Sequence, residues 1–157
     1  VSFEVPSAEV PVFVDVEQLR QMLTVLVANA VEATGSGGRI WVRLAAVRCS
    51  AGEVRNGQTG RDLPAGAYAR LTVEDDGEGI PKETLDRVFD PFFTTKDDGK
   101  GVGLGLAVVY GIVESHGGHI DVRTREGRGT TFVVTLPLAP DANHSQAGVA
   151  EHVGRET

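Results

Sequence analysis

The chain has 157 residues, 41% hydrophobic and 24% charged, which suits one globular domain with a core of its own. A net charge of −7 with no basic stripe excludes nucleic acid as a partner, and the single cysteine, Cys49, excludes an intrachain disulfide and favours a reducing, cytoplasmic setting. No apolar run nears membrane-spanning length and no secretory leader opens the chain, so no direct membrane contact is expected; starting at Val1, in mid-pattern, it reads as a monomeric fragment of a longer protein.

Residues 10–14, Val-Pro-Val-Phe-Val, predict a short edge strand, because Pro11 cannot sit inside a ladder. Asp15 is a candidate N-cap, and Leu19, Met22, Leu23, Leu26, Val27 and Ala30 form one apolar stripe, predicting a helix over Val16–Ala33 that ends at Gly35-Ser36-Gly37-Gly38. Ile40, Val42 and Leu44 alternate as a strand. Residues 48–66 are polar and glycine-rich and predict a long hairpin loop. Ala69, Leu71 and Val73 mark the returning strand. Pro81 opens a short helix, Lys82–Val88. Gly101, Gly103 and Gly105 punctuate a loop that runs into an apolar helix from about Leu104, which stops at His116-Gly117-Gly118. Ile120, Val122 and Thr124 form one strand; Gly127-Arg128-Gly129 turns the chain into another, with Thr130, Phe132, Val134, Leu136 and Leu138 on one face. Residues 139–157 lose periodicity and read as linker or tail, leaving 1–138 as the domain. The element order predicts an α+β fold, a two-layer α/β sandwich with three helices on one face of a mostly antiparallel mixed sheet.

Strand parity puts Asp75 on the same side as Leu71 and Val73. A carboxylate facing a core is costly unless something donates to it. The glycines of Asp75-Asp76-Gly77-Glu78-Gly79-Ile80 clear side chains from beside it, leaving a slot for a flat ligand with an N–H donor, such as adenine; the plainer reading is an Asx cap on the turn. Thr130 shares the inward parity of Phe132 and could join Asp75, or be an ordinary strand-forming threonine. Asn29, at the edge of the first helix's stripe, offers an oxygen suited to Mg²⁺, or is simply solvated; Glu32, one turn on, binds an outer-sphere water or only solvates the helix. Phe89, Phe92 and Phe93 suggest an apolar anchor beneath the glycine loop, whose backbone amides and following helix N-terminus suit phosphate. Lys96 and Lys100 are the nearby cations.

Taken together and in order, these segments resemble one family. Asn29-Ala30-Val31-Glu32-Ala33 looks like its N box, Asp75-x-Gly77-x-Gly79-Ile80 like its G1 box, and Phe89-Asp90-Pro91-Phe92-Phe93-Thr94-Thr95-Lys96 like its F box. Gly101-Val102-Gly103-Leu104-Gly105-Leu106 looks like G2, and Gly127-Arg128-Gly129-Thr130-Thr131-Phe132 like the last glycine box. The family is the catalytic ATP-binding domain of sensor histidine kinases, within the Bergerat-fold ATPase/kinase superfamily, and the resemblance spans about Val10 to Pro137. It implies ATP and Mg²⁺ under a mobile lid over roughly 90–103, with Asn29 as metal ligand and Asp75 as adenine acceptor. Gly77, Gly79, Ile80 and Thr130 would line the base side. Glu32, Phe93, Lys96 and the run Gly101, Val102, Gly103, Leu104, Gly105 and Leu106 would line the phosphate side, with Asn29 and Lys96 as the catalytic pair. The reaction would be phosphoryl transfer to a histidine, for which positioning and electrostatics suffice.

Two departures qualify the match. No His-Glu or His-Asp helix motif surrounds His116, His119, His144 or His152, so the acceptor histidine is expected on a separate dimerisation domain. The family usually has a polar residue one turn before the metal asparagine; Val25 stands there and cannot take a proton from water, which disfavours ATP hydrolysis. Gly154-Arg155-Glu156-Thr157 is similar to the lead into a receiver domain in hybrid kinases. The rival readings are a module that senses ATP or ADP without transferring phosphate, a self-sufficient ATPase, and a serine kinase on the same fold.

Overall fold

A computed structural model of the chain describes residues 1–52, 63–90 and 105–139. The first helix, α1 (Val16–Thr34), starts where Asp15 accepts backbone N–H bonds from Glu17 at 2.9 Å and Gln18 at 3.1 Å. It ends at Gly35, whose φ of 62° is a left-handed turn that glycine adopts without a Cβ penalty. Met22, Leu26 and Ala30 of the expected stripe are its buried residues. They pack on Val73, Val134, Val109 and Val113, which are at most 1% exposed, in one core.

Five strands form one mixed sheet: β1 (Ser2–Glu4), β2 (Ile40–Cys49), β3 (Gly66–Asp75), β4 (His119–Arg125) and β5 (Gly129–Pro137). Their spatial order is β1-β2-β3-β5-β4, with every pair antiparallel except β1 with β2. Beside α1 lie α2 (Lys82–Leu85) and α3 (Gly105–Ser115), completing the expected α+β architecture. Among the described residues no helix is long and apolar enough to cross a membrane.

Several local expectations change. The edge strand is Ser2–Glu4, parallel to β2, not residues 10–14. In that segment Val12 makes one isolated bridge to Leu138, and the Pro11 carbonyl accepts from Ala139 N–H at 2.9 Å. Proline contributes an acceptor but no donor, so the ladder does not propagate. Ala139, assigned to the tail, is 7% exposed and held by that bond. The expected loop 48–66 is shorter at both ends, since β2 runs to Cys49 and β3 begins at Gly66. The short helix stops at Leu85 instead of Val88, and Pro81 is its N-cap, with a ψ of 144° and a carbonyl that accepts from Thr84 and Leu85. Residues 53–62, 91–104 and 140–157, with the readings placed on them, lie outside the described residues.

The two long helices are tied at one end by His116. Its Nδ1 lies 2.7 Å from the Ile112 carbonyl, and its Nε2 accepts the Asp15 N–H at 3.3 Å. A carbonyl only accepts and an amide only donates, so in this arrangement Nδ1 donates and Nε2 accepts. At the other end, a Cβ on Gly105 would stand 3.1 Å from Val25 Cγ1, so α3 begins directly against α1.

Candidate functional site

The core-facing ends of β3 and β5 meet where Asp75 pairs in register with Thr130. Both are 5% exposed. The Asp75 carboxylate accepts from Gly77 N–H at 2.9 Å and from the Thr130 backbone. Burial pushes its carboxyl above the ordinary range; those two bonds oppose the shift, and the Asp76 and Glu74 charges add to it. No cation is among the causes. Two backbone donors leave acceptor capacity on a two-oxygen carboxylate.

The turn after Asp75 is clamped by close backbone approach. A Cβ on Gly77 would overlap the Ala33 carbonyl near the end of α1, and the Glu78 N–H bonds that same carbonyl at 3.2 Å. Gly79, at φ 75°, would meet the Arg125 carbonyl, while Gly127 N–H bonds the Glu78 carbonyl at 2.8 Å. A Cβ on Gly129, at φ 119°, would overlap the Asp75 carbonyl. Glycines therefore let α1, the β3 end and the β4–β5 turn converge on one point.

The Thr130 hydroxyl does not serve Asp75. It lies 2.9 Å from Thr124 Oγ1, which donates its own proton to the Gly129 carbonyl at 3.0 Å and accepts from Ile80 N–H at 2.8 Å. Thr130 is thus the donor in the hydroxyl pair, which leaves its oxygen able to accept. Thr124 belongs to this polar cluster and was missed as a site residue; its inward parity with Ile120 and Val122 was the available signal.

Asn29 lies four residues before Ala33 on α1, about 6 Å along the axis from the Gly77 contact. It is half-buried; Glu32 is exposed and engaged in an interaction of its own. The two offer a neutral amide oxygen and a carboxylate, hard donors that fit Mg²⁺ with phosphate and water completing its shell. No cluster of three acidic, histidine or cysteine side chains able to hold a metal occurs among the described residues. Gly105 and Leu106, both partly buried, open α3. The Phe89 ring lies 5.5 Å from the Tyr110 ring and 6.5 Å from that of Phe132. Phe93, Lys96, Gly101, Val102, Gly103 and Leu104 lie outside the described residues.

A family model described as "Histidine kinase-, DNA gyrase B-, and HSP90-like ATPase" matches residues 14–140. The chain belongs to this ATPase family. Among its relatives, the sensor kinase CckA of Brucella abortus is 43% identical over 128 residues, covering 81% of this chain and 13% of that protein. The sensor histidine kinase ZraS of Escherichia coli is 42% identical over 124 residues, covering 79% of this chain and 22% of that protein. The chain therefore spans a minor part of these relatives. The nucleotide-free catalytic domain of histidine kinase ThkA superposes with a TM-score of 0.67 at 32% identity, over 89% of this chain and 79% of that one. Full-length ShkA in complex with AMPPNP does so with 0.63 at 29%, over 88% of this chain and 25% of that one. Among the branches that the family description names, histidine kinases supply these relatives, which supports ATP binding and a kinase role in two-component signalling.

Proposed function

We propose that this chain is the catalytic domain of a sensor histidine kinase, of hybrid type, which binds Mg-ATP and transfers the γ-phosphoryl group to a histidine on a dimerisation domain outside this sequence. The observation that carries the reading is Asp75: a buried carboxylate with backbone donors alone, set where three glycines hold the backbone close. An amine-bearing heterocycle satisfies it without adding charge to the core. The ShkA complex with AMPPNP, a nucleotide analogue, supports the same reading.

In this scheme Asp75 accepts from the adenine amine, and the Thr130 oxygen, with its own proton committed to Thr124, is available as a second acceptor beside it. Asn29 and Glu32 hold the metal end, and Mg²⁺ supplies charge neutralisation on the phosphates. Gly105 and Leu106 present the N-terminus of α3 toward the phosphates, while Phe93, Lys96 and residues 101–104 complete that side. Val25 packs on Gly105 and offers no base, so water is not activated one turn from Asn29 and the phosphoryl group is kept for the histidine. Residues 1–139 constitute the domain, the segment after them leads to a receiver domain, and the fragment acts as a monomer. ATP as substrate places it in the cytoplasm.

The test supplies a cognate dimerisation domain in trans with γ-labelled ATP. Acid-labile, base-stable label on that domain is the expected result. ATP binding with no label on any partner would overturn transfer in favour of a nucleotide-sensing module, acid-stable label would indicate a serine kinase, and steady phosphate release from the chain alone would revive the ATPase reading.

A further inference from the structure

Asp75, Thr130 and Thr124 stand in one cross-strand row, on β3, β5 and β4 in turn, with Thr130 in the middle. Among the described residues Thr124 Oγ1 has three hydrogen-bonding neighbours, and a hydroxyl has one proton and two lone pairs to meet them. The Ile80 N–H, at 2.8 Å, can only donate to it. The Gly129 carbonyl, at 3.0 Å, can only accept from it. The third contact, to Thr130 Oγ1 at 2.9 Å, is then a hydrogen bond in one sense alone, with Thr130 as donor. Thr124 is saturated, and the Thr130 proton is directed toward β4, away from Asp75 on β3.

The slot side of Thr130 is left with lone pairs. Its backbone N–H bonds the Asp75 carboxylate, so the two acceptors lie beside one another. A carboxylate also only accepts. A 6-aminopurine answers this pair with an amine that carries two N–H groups. A 6-oxopurine is as flat and as large, but it brings an oxygen to the same place. A Thr130 hydroxyl free to turn would give that oxygen its proton and admit the base. Held by Thr124, it turns only by giving up a bond in a half-buried cluster, and otherwise the ligand oxygen faces acceptors and goes unpaired.

We infer that Thr124 is a positioning residue: it fixes the Thr130 hydroxyl as an acceptor and thereby makes the slot select 6-amino over 6-oxo purine nucleotides. This rests on reading the slot as a purine site. Thr124 stands one strand farther from Asp75 and acts through Thr130.

The experiment measures the affinities of this chain for ATP and for inosine triphosphate, each with Mg²⁺, by calorimetry. Wild type should favour ATP by about tenfold or more. Thr124→Val keeps the shape and removes the hydroxyl, so the Thr130 proton can turn to the ligand, and the ratio should shrink by about fivefold. Thr124→Ser keeps the hydroxyl and should hold the wild-type ratio. A merely structural role would lower both affinities together and leave the ratio alone. Thr124→Cys, whose sulfur is a weak acceptor, carries the test if Thr124→Val does not fold. Equal affinities in wild type, or the wild-type ratio in the folded Val or Cys variant, would overturn the inference while ATP binding upholds the purine site. Absence of ATP binding, or undiminished ATP affinity in Asp75→Asn, would overturn the purine site and the inference with it.

Discussion

Asp75 is placed at a cost to the empty fold. Its carboxyl is raised by burial, so the folded state holds the proton more tightly than the unfolded chain; stability from this group is full below the ordinary 3.8 and is lost as pH rises through the folded value. Asp75→Asn keeps an oxygen for the Gly77 N–H and removes the buried charge. The expected outcome at neutral pH is an unchanged or higher melting temperature together with ATP affinity reduced about tenfold or more, by calorimetry on the same sample. Wild-type affinity would remove Asp75 from the site. Asn29→Ala, at a half-buried helix position, should alter stability by no more than about 0.5 kcal/mol while Mg-dependent ATP binding falls about tenfold. His119 behaves oppositely to Asp75. Burial lowers its pKa against the pull of Asp121 and Glu114, so between that lowered value and the ordinary 6.5 the unfolded chain binds more protons. Stability should therefore rise with pH across that window, and denaturant melts of His119→Gln should show a flatter profile there.

At the scale of elements, glycines decide how closely helix and sheet approach. Gly77 is pressed on the Ala33 carbonyl, whereas Gly111, on the exposed side of α3, has nothing within 4 Å of an added Cβ. Gly77→Ala must push the β3 end away from α1, and a loss of about 1–3 kcal/mol in chemical melts is expected, with weaker nucleotide binding. Gly111→Ala should instead stabilise by about 0.5–1 kcal/mol, because it removes backbone entropy from a helix interior without a clash. The sequence shows that both are glycines; the distance to a neighbouring backbone separates them. The same limit explains β1. Three residues carry no readable period, and their parallel pairing to β2 depends on where the chain returns in space.

For the whole molecule, α1 and α3 are joined at one end by His116 and packed at the other through Val25 and Gly105, and the proposed metal and phosphate ends of the site ride on these two helices. Periods of two and of three to four are local properties of a chain, so the sequence alone determined the stripe of α1, the inward parity of Asp75 and Thr130, the glycine stops and the family resemblance. Contacts between distant segments are not local. Only the tertiary structure decided that Thr124 holds the Thr130 hydroxyl, that Gly77 meets Ala33, that Pro11 caps the end of β5 instead of joining a strand, and that His119, though pointing away from the helices, is buried in a row with Arg70. Apart from the Thr124–Thr130 pair, which is six residues apart across the β4–β5 turn, each of these joins segments far apart in sequence, and no period along the chain encodes the order β1-β2-β3-β5-β4 that brings them together.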